Sequence, residues 1–122
     1  MTTKGARKNR VRRVVRKLEL IIASGGSCRL CGYNKNISSL VFHHVREKFM
    51  SLSGRHISAT KMSDARKEAK RCVLLCHNCH NELHNPHLTL DNLYKLRAGI
   101  KSGVFELEEA FDYLFIFKNK KP

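Results

Sequence analysis

A chain of 122 residues with a net charge of +14 holds one domain, with room for a helical extension at each end. No apolar run approaches membrane-spanning length, and the basic N-terminus lacks the apolar stretch of a signal peptide. The expectation is therefore a soluble, cytoplasmic protein with no membrane partner. The charge is also uneven. Residues 1–20 carry eight Lys/Arg against one acid and residues 45–71 carry eight against three, whereas the counts from 81 onward balance at six and six. An excess confined to the first two-thirds of the chain predicts a basic face and a polyanionic partner, because neutralising phosphates releases condensed counterions.

In chain order, residues 6–23 are predicted to be helical. Val11, Val14, Val15, Leu18, Ile21 and Ile22 recur at three-to-four spacing, a stripe able to dock on a core. Arg7, Lys8, Arg10, Arg12, Arg13, Arg16 and Lys17 would then face outward. Ser24-Gly25-Gly26-Ser27 ends that helix, and Cys28-Arg29-Leu30-Cys31-Gly32 reads as a knuckle turn in which Gly32 suits a left-handed backbone. Leu40–Val45 is predicted as a strand, followed by a basic, poorly periodic stretch containing Arg46, Lys48 and Arg55. Met62–Arg71 reads as a short charged helix and Cys72–Leu75 as a second strand. Residues 77–85 form a helix closed by Asn85-Pro86. Two further helices are expected at about 89–101, with Thr89 or Asp91 as cap, and at 106–117, with Gly103 between them. The fold class is α+β, organised as a basic arm (1–23), a central core (24–88) and a helical extension (89–122).

Chemistry concentrates in the cysteines and histidines. Cys28/Cys31 and Cys76/Cys79 are two Cys-x-x-Cys pairs separated by 44 residues, and four thiolates supply the tetrahedral set that structural zinc prefers. The gap is longer than in a simple zinc ribbon, so further structure is built inside it. Cys72 lies in an apolar run and reads as a buried free thiol. His43 and His44 end the first strand, where neighbouring side chains point to opposite faces, so one can bind a metal while the other meets a substrate. His80 and His84 stand four apart on the expected helix and can ligate one ion together. His56, His77 and His87 have no such frame and are read as surface or phosphate-contact residues.

The ordered combination Cys28-x-x-Cys31-Gly32-Tyr33, Leu40-Val41-Phe42-His43-His44 and Cys72-Val73-Leu74-Leu75-Cys76-His77-Asn78-Cys79-His80-x-x-x-His84 resembles the zinc-bearing HNH (ββα-metal) endonucleases of phages, mobile introns and bacteria. The likeness spans about residues 24–86 and leaves the terminal helices outside it. It implies a ββα-metal core stapled by a four-cysteine zinc site and flanked by helices. It further implies His44 as general base, and His43, His80 and His84 as ligands of a catalytic divalent ion. Three imidazoles favour Mn, Ni, Co or Zn over the harder Mg. The implied reaction is hydrolysis of double-stranded DNA, by nicking or double-strand cleavage, to 5′-phosphate and 3′-hydroxyl ends, by a monomer or a homodimer. In one respect the chain departs from the pattern. The family's middle Asn usually precedes the second cysteine pair, where this chain has Arg71-Cys72. The group that orients His44 is thus left open, a backbone carbonyl being one alternative. Two other functions fit part of the sequence: a non-catalytic zinc-finger DNA-binding protein, and a structure-selective nuclease acting on junctions or RNA.

Overall fold

The structure, a computed structural model, describes residues 3–52, 57 and 59–116; Arg55 and His56, singled out in the sequence, lie outside the described residues. The fold is mixed helix and strand. The chain divides into two compact units, Met1–His80 and Asn81–Pro122, and the division falls within one helix, α3 below.

The first unit opens with α1, Lys4–Ala23, whose first turn is capped by Thr3 Oγ1 accepting from Ala6 N–H at 3.1 Å. It ends at Ser24, and Gly25 and Gly26 follow with φ of +100° and +77°, a left-handed path that glycine adopts without steric cost. A single 3-10 turn, Ile37–Ser39, leads into β1, Leu40–His44. Helix α2, Met62–Ala69, precedes β2, Cys72–Cys76. The strands pair antiparallel, from Leu40 opposite Cys76 to His44 opposite Cys72. Helix α3, His77–His84, follows β2 directly.

Strand alternation puts Leu40, Phe42 and His44 on one face and Val41 and His43 on the other. The core is built as two clusters. One gathers Ile21, Leu40, Leu74 and Leu75 with Cys28 and Cys76, and the other gathers Leu20, Leu52, Ala65 and Ala69. Phe42 packs against both. Leu20 and Ile21 are consecutive, and the helical rotation of about 100° per residue lets each serve a different cluster. Each burial stabilises by about 1.5–3 kcal/mol.

The rest of the α1 apolar stripe does not dock. Val11, Val14, Val15, Leu18 and Ile22 are between 41 and 62 % exposed. Length explains this. A helix of 20 residues extends about 30 Å, whereas a strand of five residues covers roughly 17 Å. The small sheet and α2 can cover only its C-terminal end.

The second unit holds α4, Leu90–Lys101, and α5, Leu107–Phe111, which continues into a π turn at Asp112–Ile116. Thr89 caps α4, accepting from Asn92 N–H at 3.2 Å. Gly103, at φ +80°, turns the chain between the helices. Phe105 then folds back over Gly99, so close that a Cβ on Gly99 would lie 2.2 Å from its ring. His87 ties this unit together: its Nε2 meets Leu114 O at 3.2 Å, and its carbonyl accepts from the Tyr113 hydroxyl at 2.8 Å. No described helix is long and apolar enough to cross a membrane.

Candidate metal centres and the His44 cavity

The first cysteine pair sits in a tight turn. Gly32 N–H donates to Cys28 O at 2.9 Å, Cys28 N–H donates to Tyr33 O at 2.8 Å, and Gly32 takes φ +81°. Arg29 N–H donates to Leu74 O at 2.9 Å, which fastens this turn to β2. The second pair lies where β2 passes into α3, and Cys79 N–H donates to the Cys76 sulfur at 3.4 Å. All four sulfurs lie within 4.8 Å of one another.

The fit to a tetrahedral ion can be tested on the sulfur spacing. Zinc–sulfur bonds of about 2.3 Å place tetrahedral sulfurs about 3.8 Å apart, and Cys31 Sγ lies 3.6 Å from Cys76 Sγ. Electrostatics agree. Burial pushes the Cys28 thiol up, but hydrogen bonds from the backbone at Cys76, Cys31 and Leu30 outweigh it and bring it down to about 6. Cys79 is pushed up, first by its hydrogen bond with the Cys76 sulfur and then by burial. Packed together, the four sulfurs resist sharing several negative charges, and a dication removes that conflict. Four cysteines so arranged can hold a structural metal ion such as zinc.

The histidines form a second cluster. His80 and His84 stand one turn apart on α3 and His43 faces them from β1; their ligand nitrogens lie within 4.8 Å of one another. The His43 and His80 rings meet edge to face with centroids 5.3 Å apart. Because all three offer imidazole nitrogen, a transition-metal dication suits the cluster better than a hard, oxygen-seeking ion.

His44 points the other way. Its side chain is 17 % exposed, and its Nε2 lies 3.3 Å from Glu68 Oε1 without the alignment of a hydrogen bond. Glu68 is 3 % exposed, the buried charged residue among those described, and its Oε1 accepts from Phe49 N–H at 3.2 Å. His44 also lines a cavity of about 240 Å³ together with Lys17, Lys48, Ser51 and the apolar side chains Leu52 and Ile57. Burial pushes the Lys17 ammonium below the usual lysine range.

Compared with known proteins, the chain matches no family model, no curated protein and no solved structure.

The remaining basic residues are placed as follows. Arg7, Lys8, Arg10 and Arg12 are exposed along α1, Arg13 is half-buried, and Arg46 and Lys48 are exposed beyond β1. Arg16 differs from its neighbours, since its Nη1 donates to Ile57 O at 2.8 Å and to Thr60 O at 2.5 Å. Its guanidinium thereby anchors the segment before α2. His77 meets Ser38 O at 3.0 Å. Cys72 is half-buried, with its thiol pushed up to about 11 by burial and by the nearby Glu68 carboxylate.

Sequence reading missed Glu68, which looked like one more acid on a charged helix. A signal was present. Ala65, Glu68, Ala69 and Cys72 fall at i, i+3, i+4 and i+7, the spacing of a core-facing stripe. A carboxylate on such a stripe marks a group that needs a partner.

Proposed function

We propose that this chain is a metal-dependent DNA endonuclease of the HNH (ββα-metal) type, with β1, β2 and α3 as its catalytic core. The observation that carries the reading is the histidine arrangement. A three-imidazole cluster able to hold an ion lies beside a fourth histidine, on the adjacent residue, that lines a cavity with two lysines. A structural zinc finger needs the cysteines and the basic surface but has no use for these four histidines.

In this reading His43, His80 and His84 hold a divalent ion that, when bound, supplies Lewis-acid stabilisation of charge on the phosphate. His44 accepts a proton from the water that attacks phosphorus. The new P–O bond forms as the bond to the 3′ oxygen breaks, and that oxygen leaves with a proton from solvent. The ends are a 5′-phosphate and a 3′-hydroxyl. Lys17 and Lys48 compensate phosphate charge at the cavity. The exposed cations of α1 and Arg46 bind the backbone of duplex DNA, giving affinity without sequence information. Cys28, Cys31, Cys76 and Cys79 hold structural zinc that fixes the turn before β1 to the start of α3.

The test is conversion of supercoiled plasmid by zinc-loaded protein with added Mn, Ni, Co, Mg or no further metal, beside His44→Ala. Metal-dependent nicking or linearisation that His44→Ala loses, with duplex binding retained, is the expected result. Tight duplex binding without cleavage under any metal would replace this reading with a DNA-binding zinc finger. Cleavage of junctions or RNA in preference to plasmid would instead identify a structure-selective nuclease.

A further inference from the structure

We infer that Glu68 is the positioning residue for His44, holding the imidazole as the Nε2–H tautomer so that Nδ1 carries the lone pair; the catalytic half of this inference rests on the nuclease reading above.

The placement of Glu68 is costly unless it has a task. It lies on α2 between Ala65 and Ala69, both buried in an apolar cluster, at a position where an aliphatic side chain would pack without desolvating a carboxylate. Among the described residues, two groups face its Oε1. One is Phe49 N–H, which donates at 3.2 Å and fixes the carboxylate from the side of the loop after β1. The other is His44 Nε2 at 3.3 Å. Among the described residues His44 Nε2, itself buried, has no aligned hydrogen-bond partner, and Glu68 is the acceptor they place within reach. At 3.3 Å the two atoms are within hydrogen-bond distance, and alignment is what the contact lacks.

The consequence for tautomer is direct. An ionised carboxylate oxygen can only accept, so a hydrogen bond between it and His44 puts the proton on Nε2. A neutral imidazole has one N–H and one lone pair, and Nδ1 is then the nitrogen able to take a proton from water. The arrangement is chemically parallel to the acid that orients the histidine of a hydrolytic triad. It supplies the orienting group that the sequence left open, at a position where no Asn stands.

The experiment uses the full zinc-loaded chain and three proteins: wild type, Glu68→Gln and Glu68→Ala. Nitrogen-15 NMR of the histidine rings reads the His44 tautomer, with the His44 signal assigned from its loss in His44→Ala. Plasmid cleavage is measured in parallel as kcat and KM, with zinc content and thermal melting as controls on the fold. The expected wild-type signal is Nε2–H. Glu68→Ala should mix the two tautomers and lower kcat by about 10- to 100-fold, with KM within about twofold. Glu68→Gln should recover most of the loss, because Phe49 N–H holds the amide carbonyl where Oε1 stood. A wild-type Nδ1–H tautomer would overturn the inference even if Glu68→Ala failed to fold. Equal kcat in all three proteins would overturn it too. A locked Nε2–H tautomer that Glu68→Ala releases, in a protein that cuts nothing, would uphold the Glu68–His44 contact and sink the nuclease reading alone.

Discussion

Replacing Cys31 by serine separates metal ligation from packing more cleanly than any other change at the cysteine cluster. Cys28 is 2 % exposed and sits in the core, so losing its sulfur would mix a packing defect with a ligand defect. Cys31 is exposed, yet its sulfur lies 3.6 Å from that of Cys76. If the cluster holds no ion, Cys31→Ser is a surface substitution, and such changes stay within about 0.5 kcal/mol. One kcal/mol moves the melting temperature of a domain this size by roughly 4–8 °C, so the shift would be at most about 4 °C. If the cluster holds structural zinc, the ion contributes about 10–16 kcal/mol to folding in comparable sites. That is comparable to the usual total stability of about 5–15 kcal/mol. Losing one ligand of four should then lower the melting temperature by well over 10 °C, and excess chelator should do the same to wild type. The assay is thermal melting by far-UV circular dichroism with and without chelator, beside zinc content by mass spectrometry. A Cys31→Ser protein that melts within about 4 °C of wild type, with wild type indifferent to chelator, would refute the zinc argument.

Other expectations test separate parts of the chain. Gly99→Ala should destabilise the second unit by about 1–3 kcal/mol, because the new Cβ would lie 2.2 Å from the Phe105 ring. Adding Phe105→Ala should remove that penalty, and urea melts of the single and double variants would show a simple sum if the clash were not the cause. Cys72, with its thiol pushed up to about 11, should carry at pH 8 only about a hundredth of the thiolate of an ordinary cysteine. With zinc protecting the other four sulfurs, one slow alkylation is expected, speeding about tenfold per pH unit until the thiol titrates near 11. Alkylation of native protein at pH 8 as fast as in denaturant would count against this placement.

What the sequence made legible was whatever depends on short spacing. Thr89, one of the two candidate caps of α4 beside Asp91, Gly32 in a left-handed turn and Gly103 as a breaker all follow from local backbone preference, and the structure uses each of them so. Cys-x-x-Cys and a His pair four apart are likewise local, and the structure brings each set together with its distant partners. The α1 stripe is the instructive failure. Periodicity says which face of a helix is apolar, but not whether enough protein exists to cover it. Two five-residue strands and an eight-residue helix cannot cover a helix of 20 residues. Glu68 was missed for the complementary reason. Its stripe position was readable, but its partner His44 lies 24 positions earlier in the chain, and only the antiparallel register that sets His44 opposite Cys72 carries it to α2. The same register sends His43 and His44 to opposite faces, one toward α3 and one toward α2. On the proposed mechanism, adjacent residues in one short strand take a metal-binding role and a proton-accepting role without competing for the same neighbours. The separation of the two environments depends on strand pairing, so a variant that slips the β1–β2 register by one residue should exchange them.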